Sequence, residues 1–216
     1  MKNQKAIVFD IDGTILDMKE LILRAYSDTF AIHKLGNITW KKLTPLMGNP
    51  LEECYRILTK KKDVKIFCQT HWDFQKKNLN LAKPFLNTKK TLKTLKEKNI
   101  KMAAFTSRSK RTSIDTLRNA DILKYFDCVI SREDVLFPKP NPEGLIKALK
   151  EMKVPQKNSY MVGDALVDIQ VGKQMKIPTV GAAYGFLGKD ILKYRPDYII
   201  EDISEIIKVV NANQMD

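Results

Sequence analysis

Six short apolar runs recur along this chain, at residues 6–9, 102–105, 128–130, 160–162, 179–182 and 198–200. Each is shorter than a helix needs and lacks the polar alternation of a half-exposed strand, so each reads as a strand buried on both faces. Amphipathic stretches separate most of them. Thr88, Leu92 and Leu95 suit one helix, and Leu145, Leu149 and Met152 follow helical spacing on another. The second has a start signal, because Asn141 can cap it and Pro142 fits its first turn. Strands alternating with helices predict an α/β fold, a Rossmann-like doubly wound parallel sheet. In such sheets ligands bind at the carboxyl ends of the strands.

One region breaks the alternation. Residues 16–84 carry helical patterns and no strand pattern. Asp17 and Glu20 have the spacing of a capping box, Ile22, Tyr26 and Phe30 follow at steps of four, and Gly48-Asn49-Pro50 marks a turn. Further helix is expected over 51–58 and 67–79, with Pro84 closing the segment. The chain therefore divides into an α/β core of residues 1–15 and 85–216 and an inserted α-helical cap domain of residues 16–84. The cap is expected to sit as a lid above the sheet.

Polar residues gather where the strands should end. The first strand runs into Asp10-Ile-Asp12-Gly13-Thr14, and 102–105 into Thr106-Ser107-Arg108. Lys139 lies in Phe137-Pro-Lys-Pro-Asn-Pro142, and 160–162 leads into Gly163-Asp164-Ala-Leu-Val-Asp168. Asp10 and Asp12 alone are compatible with a capped turn, and Thr106, Lys139 or Asp168 alone with a solvated polar group. All four constellations in this order, each beside a strand end, point instead to one site. Like charges this close repel unless a cation or a shared proton intervenes, which suits metal-assisted chemistry on a phosphorylated substrate.

These motifs resemble those of the haloacid dehalogenase superfamily, over the whole chain, and the helical insertion resembles its C1-type cap. Within the superfamily the chain is most similar to phosphoglycolate phosphatase-like and pyrophosphatase-like hydrolases. Residues 38–39 and 46–52 of the cap and the ending that starts Arg195-Pro-Asp carry that narrower likeness. The resemblance implies a magnesium-dependent phosphatase acting on a small phosphorylated metabolite. It makes Asp10 the nucleophile that becomes an aspartyl-phosphate. Asp12 becomes the general acid and base, Thr106 a phosphoryl-oxygen ligand, and Lys139 the cation steadying Asp10 and the phosphate. Asp10, Asp164 and the main-chain carbonyl of Asp12 become the Mg2+ ligands, with Asp168 in support behind them. Gly13, Thr14, Ser107 and Arg108 fall at substrate-binding positions. Asp12 argues for phosphate chemistry over dehalogenation, because dehalogenases of this fold lack an acid two residues after the nucleophile. The Thr106-Ser107-Arg108 triplet departs from the commoner Thr-Asn-Lys.

Phosphoryl transfer depends on positioning and charge neutralisation. Asp10, Asp12, Asp164 and Asp168 contribute −4, and magnesium with Lys139 returns +3, leaving −1. Protonating Asp12 brings the balance to zero, which is also the state a general acid needs. Substrate choice is expected to lie in the cap, with Gly48-Asn49-Pro50 over the pocket and Lys41, Lys42 or Arg56 holding an anionic leaving group. Inorganic pyrophosphate, a nucleotide and a sugar phosphate remain alternatives to a phosphoglycolate-like ester.

The net charge of +13 permits nucleic-acid binding. The lysines are spread along the chain and mixed with apolar residues, as on solvated helix faces, so nucleic acid is not the expected partner. A phosphoacceptor signalling domain shares aspartates, magnesium, a hydroxyl and a lysine, but lacks the long helical insertion. The longest apolar runs fall short of a membrane span. The residues before the first strand lack a signal-peptide pattern, and Cys54, Cys68 and Cys128 are widely spaced. Reduced, inert thiols in the cytoplasm are expected, in a monomer or homodimer. His33 and His71 have no evident partner in the sequence.

Overall fold

The computed structural model of the chain describes residues 4–212. Its strands, in chain order, are β1 (Ala6–Phe9), β2 (Leu16–Asp17), β3 (Lys83–Pro84), β4 (Lys101–Phe105), β5 (Cys128–Ile130), β6 (Ser159–Gly163), β7 (Thr179–Ala182) and β8 (Tyr198–Ile200). Its helices are α1 (Lys19–Ile32), α2 (Trp40–Leu43), α3 (Leu51–Thr59), α4 (Lys65–Lys77), α5 (Thr88–Glu97), α6 (Lys110–Asn119), α7 (Glu143–Met152), α8 (Leu166–Gln174) and α9 (Ile206–Ala212). All six strands expected from the apolar runs are present.

Six of the strands form one parallel sheet in the order β5-β4-β1-β6-β7-β8. Counted along the sheet this is 3-2-1-4-5-6, the doubly wound order whose direction reverses between β1 and β6. The register sets Phe9 level with Ala104 on one side and Val162 on the other. The residues that follow these three strands therefore emerge together at the reversal point.

Alternation along β1 builds two cores. Ile7 and Phe9 face a cluster with Leu92, Leu95, Met102 and Val162. Ala6 and Val8 face Phe105, Leu145, Leu149 and Val171 on the other side. The first cluster continues into the helical segment through Tyr26, Phe30, Tyr55 and Phe67. There α1 and α4 pack together, with α3 against α4.

Three details differ from the expectations. The segment expected to be wholly helical begins and ends in strand, because Leu16 pairs with Pro84 and Asp17 with Lys83 as a two-stranded antiparallel ladder. Two-residue strands are too short to show a period in sequence. The capping box does not form: Met18 is the N-cap of α1, Asp17 Oδ1 accepts the Lys19 N–H at 3.1 Å, and Glu20 pairs with Arg24 at 2.7 Å. Pro142 is the N-cap of α7, so the bond from the Glu143 N–H to Asn141 Oδ1 (3.0 Å) comes from one residue further out. No helix among the described residues is long and apolar enough to cross a membrane.

Candidate functional site

Asp10 follows β1, and its N–H still donates to Val162 O at 2.9 Å, fixing it at the sheet's edge. The chain then turns tightly, with the N–H groups of Ile15 and Leu16 both donating to Ile11 O. Gly13 makes this turn possible. Its φ of +86° disfavours a side chain, and a Cβ there would lie 2.2 Å from Asp164 Oδ2. The turn thus lets the β1 loop lie directly on Asp164, the residue after β6.

Lys139 reaches the same point from the loop before α7. Its Nζ donates to Asp10 Oδ1 and to Asp168 Oδ1, each at 2.7 Å, and its side chain is 1% exposed. Burial works against the ammonium, but the Asp10 and Asp168 carboxylates outweigh it and raise the Lys139 pKa. Asp168 spends its other oxygen on the Ala165 N–H at 3.1 Å. Asp164 is held on both oxygens, by Thr14 Oγ1 at 3.3 Å and by the Phe186 N–H at 2.7 Å. Burial, with the charges of Asp10 and Asp168, pushes Asp164 well above the ordinary carboxylate range. Burial also raises Asp168, against the pull of Lys139.

One carboxylate oxygen from each of Asp10, Asp164 and Asp168 lies within 4.8 Å of the others. An all-oxygen set of this kind suits a hard divalent cation. All three carboxylates already hold hydrogen bonds, but Asp10 and Asp164 line the cavity and Asp168 does not, so Asp10 and Asp164 are the side chains placed to ligate directly.

Asp12 faces the opposite side of the site, toward the helical segment. Arg108 Nη1 donates to Asp12 Oδ1 at 3.3 Å and Oδ2 at 3.4 Å, while Arg108 Nη2 donates to Gln75 Oε1 at 2.9 Å and Thr116 Oγ1 at 3.4 Å. Burial raises the Asp12 pKa, with Arg108 opposing and Asp10 reinforcing the rise. Arg108 changes the charge balance read from the sequence. Four carboxylates, Lys139 and Arg108 sum to −2, so a divalent cation alone restores neutrality and a protonated Asp12 would make the site +1. Thr106 is buried, and its Oγ1 accepts the Arg108 N–H at 3.1 Å. Ser107 Oγ donates to Gly48 O at 2.6 Å, tying the loop after β4 to the helical segment.

A cavity of about 90 Å³ joins these residues, walled on the sheet side by Asp10, Asp12, Asp164, Thr106, Ser107 and Arg108. The helical segment roofs it with Gly48 and Asn49, as the turn at 48–50 suggested, and with Tyr26, Cys54, His71 and Gln75. Lys41, Lys42 and Arg56 are exposed and are not among the lining residues. Their helices turn these long charged side chains to solvent, so the expected anion contacts are absent. Burial pushes the Cys54 thiol to about 11, which leaves it an inert wall group.

A haloacid dehalogenase-like hydrolase family profile matches residues 7–182. The chain belongs to this hydrolase family. It is 32% identical to a Caldanaerobacter subterraneus protein that bears the name pyrophosphatase PpaX provisionally, covering 96% of this chain and 94% of that one. It is 27% identical to pyrophosphatase PpaX of Halalkalibacterium halodurans, over 95% of this chain and 96% of the relative. A crystal structure of a predicted phosphoglycolate phosphatase from Haemophilus somnus 129pt superposes with a TM-score of 0.88 at 22% identity, covering 97% of this chain and 99% of that one.

Sequence reasoning missed two parts of the site. The loop after β7 supplies the Phe186 amide to Asp164, and Gly185 packs so closely that a Cβ would meet Gly13 O at 2.4 Å. Main-chain donors leave no trace in residue identity, and the signal was only a glycine after a strand. The other part is a buried chain through the helical segment. Gln75 Nε2 donates to His71 Nε2 at 3.0 Å, and His71 Nδ1–H donates to Tyr55 Oη at 2.9 Å. This assignment follows from Gln75 Oε1 accepting from Arg108. Burial lowers the His71 pKa to about 3, so the ring is neutral. His33 also has a partner, Thr70 Oγ1 at 2.9 Å.

Proposed function

We propose that this hydrolase is a magnesium-dependent phosphohydrolase that cleaves a small phosphorylated compound through an aspartyl-phosphate on Asp10. The observation that carries the reading is the placement of Asp10 between Lys139 and Asp164 at the sheet's reversal point, with Asp12 alone facing the cavity roof. Residues 16–84 act as the cap over that cavity. Magnesium held by Asp10, Asp164 and the Asp12 main-chain carbonyl would supply neutralising charge for the phosphoryl group.

The chain's own residues divide the remaining work. Lys139 orients Asp10 through Oδ1 for attack on phosphorus. As the bond from phosphorus to the leaving oxygen breaks, protonated Asp12 gives its proton to that oxygen. Water then attacks phosphorus, Asp12 takes the water's proton, and the bond to Asp10 breaks to release phosphate. Burial shifts Asp12 upward, the direction a general acid needs. The Thr106 hydroxyl and the Ser107 main-chain N–H bind phosphoryl oxygens, the Ser107 hydroxyl being committed to Gly48 O, while Gly13 and Thr14 shape the loop against Asp164.

The cavity of about 90 Å³ supports a small leaving group, since pockets for drug-sized molecules run to roughly 300 Å³ or more. The relatives named pyrophosphatase favour inorganic pyrophosphate as the first substrate to try, and the structural neighbour's name favours phosphoglycolate as the second. The free thiols of Cys54, Cys68 and Cys128 fit a cytoplasmic location. Phosphate release from a panel of phosphate compounds, with magnesium and with chelator, tests the reading. Turnover should need both the metal and Asp10. Turnover that persists in Asp10→Asn, or none with any compound, would reject it.

A further inference from the structure

Arg108 is a buried cation with unfinished business in its hydrogen bonds. Its side chain is 8% exposed. Only the bond to Gln75 (2.9 Å) has a normal length. Those to Asp12 and Thr116, at 3.3–3.4 Å, are longer than the roughly 2.7–2.9 Å of a charge-assisted bond. Its Nε is buried and lacks any partner. A buried guanidinium satisfied this poorly favours an additional acceptor.

Its location says what that acceptor would be. Among the described residues lining the cavity, Arg108 is the one cation. The cap side offers apolar and uncharged groups, and burial keeps His71 neutral. Lys139 is already shared between Asp10 and Asp168. A second negative charge on the substrate, beyond the phosphoryl group, therefore has Arg108 as its available partner. Gln75 carries Arg108 from the cap, and the His71–Tyr55 chain fixes Gln75, so the cation is presented on a built support rather than a loose side chain.

We propose that Arg108 selects substrates whose leaving group bears an anionic oxygen beside the scissile bond, either a phosphoanhydride or a phosphorylated hydroxy acid, over esters of uncharged alcohols. This rests on the phosphohydrolase reading above. The competing role for Arg108 is only to partner Asp12, and the two roles separate cleanly. Losing an Asp12 partner weakens acid catalysis, which slows the poor alkoxide leaving group of glycerol phosphate at least as much as the more acidic leaving groups. Losing a leaving-group contact slows anionic leaving groups selectively.

The experiment compares kcat/KM for pyrophosphate, phosphoglycolate and glycerol phosphate, with magnesium, in wild type, Arg108→Gln, Arg108→Lys and Gln75→Ala. We expect Arg108→Gln to lower kcat/KM for the two anionic leaving groups at least about 10-fold more than for glycerol phosphate, the loss of one charge-assisted bond. Arg108→Lys should recover part of that ratio, and Gln75→Ala should lower it less. The pyrophosphate and phosphoglycolate arms show which anion is read. Equal losses across all three substrates, or a wild type that prefers glycerol phosphate, would overturn the selection by Arg108 while leaving the phosphohydrolase standing. A wild type inactive on all three and on the wider panel would instead overturn the phosphohydrolase reading, and this inference with it.

Discussion

Lys139→Met tests how the site is assembled, because the substitution keeps the volume of a buried stem and removes its charge. Lys139 Nζ closes two ion pairs at 2.7 Å, with Asp10 and Asp168, in a setting where the lysine and Asp168 side chains are each 1% exposed. Removing one partner of a buried pair costs about 3–5 kcal/mol, because the remaining charge is left uncompensated. At about 2–4 °C per kcal/mol for a chain of this size, Tm should fall by roughly 6–20 °C without metal. Asp168→Asn removes one of the stranded charges, so the double variant should be more stable than the two single losses predict by about 1–3 kcal/mol. Urea unfolding of wild type, both single variants and the double variant in chelator gives all four corners of the cycle. An unchanged slope with denaturant would confirm that only stability moved. Strict additivity, or a Lys139→Met midpoint within about 2 °C of wild type, would refute the buried triad.

Three further outcomes follow from the same geometry. The His71 pKa is lowered to about 3, so its contribution is present above the unfolded value near 6.5 and is lost as pH falls. Over pH 6.5 to 4 that loss is about 3 kcal/mol, and His71→Gln should escape it in urea titrations, whereas parallel curves would contradict it. Asp164 is raised, so its stabilising proton is present at low pH and lost as pH rises through the folded value. The metal-free wild type should therefore lose stability relative to Asp164→Asn as pH rises above the ordinary aspartate value of about 3.9, and magnesium should reverse the loss; a gain with rising pH would contradict it. Gly13→Ala meets both a positive φ and Asp164 Oδ2, so it should lose at least about 1–2 kcal/mol by thermal melting together with magnesium affinity. A melting curve like wild type's would show that the turn tolerates a side chain.

Much of the fold was legible because buried parallel strands are short, apolar and bounded. The chemistry at β1, β4 and β6 was legible for a related reason: polar residues directly after such strands must emerge at the sheet's edge. Asp10, Thr106 and Asp164 could be placed from local sequence alone. His71 and Gln75 lie one turn apart on α4, but their links to Tyr55 and Arg108 join different elements and follow no period. The charge count was incomplete for that reason, since it left out Arg108, whose pairing with Asp12 joins distant parts of the chain. Lys41, Lys42 and Arg56 failed in the opposite direction. Their charge suggested anion binding, while amphipathic packing turned them to solvent.

The central claim is that Asp10 carries the phosphoryl group. Wild type mixed with magnesium and pyrophosphate, quenched in acid within one turnover and digested, should yield a phosphorylated peptide containing Asp10 that loses its phosphate to hydroxylamine. Asp10→Asn should yield none and release no phosphate. A phosphoryl group found on any other residue, or turnover that survives in Asp10→Asn, would contradict the account.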